Sequence, residues 1–221
     1  AEDKLVETVN RMLARTERSQ AMRAEARSVL AGGIASSWQD APPCAVWIDR
    51  GLGSKIWDVD GTEYVDMHGG YGASIAGHAH PAIVEAVSRQ VRRGTHFAQP
   101  TEDAIWIAGE LARRFGLPLW RFANSGTEAT MDAVHLARAA TERDLIIKVE
   151  GCYHGHHDSV EVSVLPEADE VGPRDHPIGV PGNSGIPAAI RDLVIVVPFN
   201  DPEAVARALA EHRGQVAAMI L

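Results

Sequence analysis

The sequence predicts an α/β fold: a mostly parallel sheet with helices on both faces, preceded by an N-terminal helix and small antiparallel strands. Three observations lead there. From Leu119 onward, short Val/Ile-rich runs alternate with helical stretches, the rhythm of βαβ units in a sheet covered on both sides. Ahead of that region, short apolar runs flank an Asp60-Gly61 pair, a strong hairpin signal. At the start of the chain, Leu5, Val9, Met12 and Leu13 recur at helical spacing among many charges.

Taken in order, residues 4–30 read as one exposed amphipathic helix, and Ala31-Gly-Gly33 through Pro42-Pro43 as a loop. Three short strands follow: Ala45–Asp49, a Gly51-Leu-Gly53 turn, Ser54–Val59, the Asp60-Gly61 turn, and Glu63–Met67. Pro81 opens a helix that runs to Arg93 and stops at Gly94, which places proline and glycine at their preferred ends. A further helix covers 102–115. Beyond it come strand 119–123, helix 128–141, strands 145–149, 160–165 and 193–197, helix 202–212 and strand 216–221. Asp201-Pro202 supplies the last helix with a cap and a first-turn proline. Residues 166–187 are rich in Pro and Gly, and a loop of that length inside a domain usually has a function. The chain ends in the apolar run Val216–Leu221, which reads as a strand in mid-course, so a piece of something longer is expected.

Composition bounds the chemistry. The 221 residues are 45% hydrophobic and 23% charged, ordinary values for a globular protein with a substantial core. A net charge of −9 argues against nucleic acid or an anionic membrane as the main partner. No apolar run approaches the roughly 18 residues needed to span a bilayer, and the first residues lack the layout of a secretion signal. Two cysteines, Cys44 and Cys152, offer neither metal spacing nor a disulfide framework, and a cytoplasmic setting is expected.

The most informative stretch is Arg121-Phe-Ala-Asn-Ser125-Gly126-Thr127-Glu128-Ala-Thr130. A turn of small polar residues leads into a helix whose first N–H groups have no internal partner and carry partial positive charge. With two hydroxyls and a glycine, Ser125, Gly126 and Thr127 are suited to hold a phosphate at the carboxyl end of a strand. Ser125-x-x-Glu128 also fits a capping box, whose role would be only to start the helix.

A second cluster, Glu150-Gly-Cys-Tyr153-His154-Gly-His156-His157-Asp158, follows strand 145–149. Imidazoles and a carboxylate suit zinc or iron, but the spacing matches no defined site. Tyr153 at a strand end could instead stack on a planar ring, or be an ordinary loop residue. Gly69-Gly-Tyr71-Gly72 fails the dinucleotide fingerprint because Ile75 occupies the third glycine position. His78 and His80, beside the helix at Pro81, are read as turn packing.

Taken together, these stretches resemble the class III, fold type I pyridoxal-phosphate aminotransferases, and within them the glutamate-1-semialdehyde aminomutase branch. The resemblance rests on Trp57–Asp66, Gly77-His-Ala-His-Pro81, Arg121–Thr130, Glu150–His156 and Pro198-Phe-Asn-Asp201, five stretches in the family's order over almost the whole chain. It implies pyridoxal 5′-phosphate as cofactor, held by Ser125, Gly126 and Thr127 at its phosphate, by Tyr153 stacked on its ring, and by His154 beside it. It implies a small-molecule amino donor, a carbonyl acceptor and a homodimer. It also divides the chain into 1–66, part of a small domain, and 67–221, the first part of the cofactor-binding large domain. Loop 166–187 would be a water-excluding gate.

Substrate-facing positions depart from the branch. At the run Gly32-Gly-Ile-Ala-Ser-Ser37-Trp-Gln39, the aminomutase pattern carries an arginine that grips a carboxylate, where this chain has Gln39. Tyr71 stands where that branch has tryptophan. Ser37, Gln39 and Tyr71 are therefore the candidate substrate residues, and amino transfer is favoured over the aminomutase reaction itself. The lysines are Lys4, Lys55 and Lys148, none in the family's Schiff-base motif, so no catalytic residue is expected in this chain and that lysine is expected downstream. Two readings of other classes stay open: a non-catalytic binding module, and a metal hydrolase on His154, His156, His157 and Asp158.

Overall fold

The structure is a computed structural model that describes residues 2–221. Contacts divide the chain between Pro100 and Thr101 into two compact units.

The first unit begins with two helices where one was expected, α1 (Glu2–Leu13) and α2 (Glu17–Ala26). The break has a local cause. The Thr16 side chain is buried, and its hydroxyl turns back to the Met12 carbonyl at 3.0 Å. Gln20 Nε2 donates to the Leu13 carbonyl at 2.7 Å, which satisfies an end of α1 that the helix itself cannot. The opposite end, the start of α2, is capped from a distant part of the chain. Asp60, 42 residues beyond Arg18, accepts the N–H of Arg18 at 2.7 Å and that of Ser19 at 3.0 Å. The buried Ser19 hydroxyl also donates to Asp60, at 2.7 Å, and accepts the Trp47 N–H at 3.2 Å. The Asp-Gly turn therefore makes its hairpin and holds a helix with the same aspartate.

That hairpin belongs to an antiparallel meander of β1 (Ile48–Leu52), β2 (Lys55–Asp58) and β3 (Glu63–Val65). β1 starts three residues later than the sequence suggests and continues through Gly51, while the turn falls on Gly53-Ser54. Gly51 is small for a different reason: a Cβ there would lie 2.6 Å from the His78 ring. Asp58, buried, accepts the Thr62 N–H and the Tyr64 hydroxyl, both at 2.7 Å, closing the second hairpin from inside. α3 (Pro81–Val91) follows, with proline in its first turn as expected.

The second unit opens with α4 (Glu102–Phe115), acidic in its first turn and basic in its last, ended by left-handed Gly116. Residues 119–123 form no strand. Leu119 is 89% exposed and Phe122 is also exposed, so the apolar run has no ladder partner among the described residues. α5 (Gly126–Thr141), β4 (Leu145–Val149), α6 (Ala188–Arg191), β5 (Val194–Val197), α7 (Pro202–Glu211) and β6 (Val216–Ile220) complete the unit. The sheet is parallel, in the order β5-β4-β6, with β4 central. Ile147, Val149 and Val197 pack against Ala204 and Ala208 of α7 on one face. Ile146 packs against Val134 of α5 on the other.

Segment 160–165 is likewise not a strand of this sheet. Val160, Val162 and Val164 are buried, but Val162 joins Val194 and Val196 on the sheet's face instead of extending its edge. Its backbone pairs with the loop that follows: Ser163 N–H donates to Val180 at 2.6 Å, and Gly182 N–H to Glu161 at 2.8 Å. Apolar alternation signals burial on one side, which face packing satisfies as well as a ladder does.

Asp60→Ala removes the cap of α2 together with a buried hydroxyl's partner, and an expected loss of about 1–2 kcal/mol is read as a lower denaturation midpoint. Burial pushes the Asp60 carboxyl up, but bonds from the Ser19 hydroxyl and the Arg18 and Ser19 N–H groups, with the Arg18 charge, outweigh it and hold the group below its usual value. A depressed carboxyl contributes stability above its unfolded pKa and loses it as pH falls through the folded value. The difference between wild type and variant therefore narrows in acid, and equal differences at pH 7 and pH 2 would overturn this account.

Candidate functional site

In the second unit the site is built on the N-terminus of α5. Ser125 is the cap in extended conformation (φ −147°, ψ 161°), and its Oγ accepts the Glu128 N–H at 3.1 Å. The Glu128 carboxylate reaches back to the Asn124 N–H at 2.7 Å, one residue before the usual target, so the capping box is present in shifted form. No acceptor is found among the described residues for the N–H groups of Gly126 and Thr127. A Cβ on Gly126 would meet nothing within 4 Å. The helix therefore presents two free donors, the Ser125 O–H and its positive dipole end to open space. The stretch before it is not a strand, so the expected position at a strand end is not found.

The loop after β4 is strapped onto this helix end. Gly155, buried at φ +103°, lies so close to Thr127 that a Cβ there would come within 2.7 Å of its Cα and Oγ1. The Thr130 hydroxyl donates to the His154 carbonyl at 2.6 Å. Thr127 Oγ1 accepts the His156 N–H at 3.4 Å and lies 3.3 Å from His156 Nδ1. The predicted residues Ser125, Gly126 and Thr127 are thus brought to the same place as His154 and Tyr153, whose ring is half exposed. Gly155 and Thr130 had no predicted role. The small residue between two histidines was the available signal for Gly155, whereas Thr130 looks like any helical threonine.

Burial, and then the nearby Lys148 charge, push the His154 imidazole down, towards the neutral form. Its Nε2 is buried, and no hydrogen-bond partner is found for it among the described residues. His157 is also lowered, by burial first and then by His135, with Asp158 opposing and His156 and Arg138 adding to the effect. Among the described residues, no group of three His, Cys, Asp or Glu side chains is arranged to hold a metal ion. The hydrolase reading has no converging ligand set to rest on.

Within the first unit, Ser37 and Gln39 sit in a single 3₁₀ turn, Ser37–Gln39. Tyr71 lies in the glycine-rich loop with left-handed backbone (φ +59°), and its hydroxyl donates to the Trp38 carbonyl at 3.2 Å. The three candidate substrate residues are therefore neighbours through that bond. Asp66 clips the loop shut: its carboxylate accepts the His68 and Gly69 N–H groups, both at 2.9 Å, and lies 2.7 Å from His78 Nε2. The Gly69 N–H, the His78 bond and the His68 N–H hold its pKa down to about 2. The His78 ring lies against Gly51 of β1. Its pairing with Asp66 was not foreseen.

Comparison with known proteins gives a consistent picture. A glutamate-1-semialdehyde 2,1-aminomutase of Syntrophus aciditrophicus is 40% identical over 200 residues, covering 89% of this chain and 45% of the relative. An omega-transaminase from Sphaerobacter thermophilus superposes with a TM-score of 0.86 at 42% identity, over 91% of this chain and 46% of that one. A transaminase solved with PLP bound gives 0.84 at 38% identity, over 92% and 46%. This chain thus spans a little under half the length of the relatives it matches. The family model for class-III aminotransferases matches residues 36–221, and the chain belongs to that family.

Proposed function

We propose that this chain supplies the phosphate cup and ring-facing loop of a pyridoxal-phosphate enzyme that moves an amino group from an amino acid or amine to a carbonyl acceptor. The observation that carries the reading is the close approach of Gly155 to Thr127, which sets an aromatic loop beside a helix end with free donors. The groups suit this cofactor: open space over Gly126 for a phosphate, an exposed Tyr153 ring for a flat heterocycle, and an unpartnered His154 Nε2. The relatives support it, one of them being a transaminase with PLP bound.

Ser125, Gly126 and Thr127 would hold the phosphate through backbone N–H groups and hydroxyls, bonds to a charged group worth about 1.5–3 kcal/mol each. Tyr153 would cover the ring, with His154 beside it. When bound, the cofactor supplies an electron sink for the carbon that loses its proton. This chain's part is to bind and orient it. Lys55 pairs with Glu63, and Lys148 is buried against two carbonyls, so neither is placed to bond the cofactor covalently. We assign that lysine to the part of the relatives' length that this chain does not span. Ser37, Gln39 and Tyr71 would face the substrate. A homodimer fits the apolar side chains that α4 exposes, Ile105 and Trp106 among them. Cys44 and Cys152 are both free, which fits a cytoplasmic setting.

A second reading, the aminomutase reaction itself, is favoured by the 40% identical relative. Gln39 weighs against it, since an amide cannot offer the charged, two-pronged grip of a guanidinium to a carboxylate.

Titration of the chain with pyridoxamine phosphate, followed by calorimetry, tests the cup. Thr127→Ala is expected to weaken binding roughly 10- to 100-fold, the equivalent of one bond to a charged group. Failure of the wild-type chain to bind pyridoxamine phosphate would sink the assignment. For the substrate, Gln39→Arg in an enzyme of the relatives' full length should lower KM for donors with a carboxylate beside the amine by roughly tenfold, leaving carboxylate-free amines unimproved. An equal change for both donor types would show that residue 39 does not face that group.

A further inference from the structure

Lys148 is fully buried in β4, the central strand of the parallel sheet. Alternation along the strand puts it on the same face as Ile146, the face covered by α5. A buried ammonium is costly to keep, and an apolar residue of similar volume is often neutral or better for stability. Packing alone therefore gives no reason for a lysine here.

Its bonds suggest one. Nζ donates to the Val149 carbonyl at 3.0 Å and to the Ser163 carbonyl at 3.4 Å. The same two carbonyls accept the next turn's amides: Cys152 N–H to Val149 at 3.3 Å and Gly151 N–H to Ser163 at 2.9 Å. Gly151, at φ +79°, takes the chain out of the sheet. One ammonium thus braces both anchors of the turn that delivers Tyr153 and His154. Without it, each carbonyl still has an amide partner, so the turn could form but would be held less firmly.

We propose that Lys148 is a positioning residue for the cofactor loop, fixing the Glu150–Tyr153 turn through the Val149 and Ser163 carbonyls so that Tyr153 and His154 are held in place over α5. This rests on the reading that the loop and the Ser125–Thr127 turn bind pyridoxal phosphate. The charge has a second effect on the same loop: after burial, it is what pushes His154 towards the neutral form.

Two substitutions separate hydrogen bonding from charge. Lys148→Met removes both and keeps the length, while Lys148→Gln keeps a donor without the charge. Each is measured for thermal unfolding, for the His154 titration midpoint by NMR, and for pyridoxamine phosphate affinity by calorimetry. The expected result is a folded K148M whose melting temperature is at or above that of the wild type. Its His154 midpoint moves to higher pH, because a nearby cation is gone, and its affinity falls roughly tenfold. K148Q shows the same His154 shift and a smaller loss of affinity. A folded K148M with unchanged midpoint and unchanged affinity overturns the proposal, and if K148M does not fold, K148Q decides by the same two readouts. If the wild-type chain binds no pyridoxamine phosphate, the cofactor reading fails, while the His154 midpoints still decide whether Lys148 governs the loop.

Discussion

The approach of Gly155 to the Cα of Thr127 is the constraint on which the second unit's site depends. Any side chain at 155 would collide with the start of α5, and its φ of +103° is one that other residues rarely adopt. Only with that gap closed can the Thr130 hydroxyl reach the His154 carbonyl, and only then does the loop after β4 lie over the helix end. The free N–H groups of Gly126 and Thr127 would otherwise be an ordinary solvated helix start. Beside the aromatic loop, they form one wall of the candidate site.

The first unit solves a similar problem with charge instead of steric fit. Its glycine-rich loop has little side-chain packing of its own to hold it, and a single carboxylate gathers both ends: Asp66 takes the amides of His68 and Gly69 at one end and the His78 ring at the other. Asp60 does the equivalent for α2. In both cases one aspartate in a turn gathers several groups: Asp60 holds backbone 41 and 42 residues away, and Asp66 joins the amides just after it to the His78 ring. The loop geometry that presents Tyr71 to the Ser37–Gln39 turn thus depends on hydrogen bonds to a charged group, the stronger kind.

What could be read from the sequence divides along the same line. α3, α4 and α7 were legible because their ends carry local chemistry, proline at the start or left-handed glycine at the stop, and α5 because its cap is local too. The strands at 119–123 and 160–165 were misread because apolar alternation reports burial, not hydrogen-bond partners. Val162 found the face of β5, and Leu119 found no ladder. The break in the first helix was missed because Gln20 and Thr16 close it by folding back, which no spacing rule records. Ser125, Gly126 and Thr127 could be singled out as candidates from their types, while Thr130, Gly155 and Lys148 act through tertiary contacts.

Lys148 also limits what this chain can do by itself. A lysine that bonds a cofactor aldehyde must bring an unprotonated amine to an open surface. Burial pushes the Lys148 pKa down, with Cys152 and Glu150 opposing, which bears on the first requirement only as a direction. The second is not met, because its side chain is sealed within the sheet and committed to two carbonyls. Swinging it out would unpair those bonds and open a cavity in the central strand, at a cost of several kcal/mol. The same burial that disqualifies Lys148 as a nucleophile makes it useful as a brace, since a cation that cannot move holds the turn above it still. Under the proposed function, binding and orientation would fall to the residues around the Ser125–Thr127 turn and Tyr153, and the covalent chemistry to a lysine held differently.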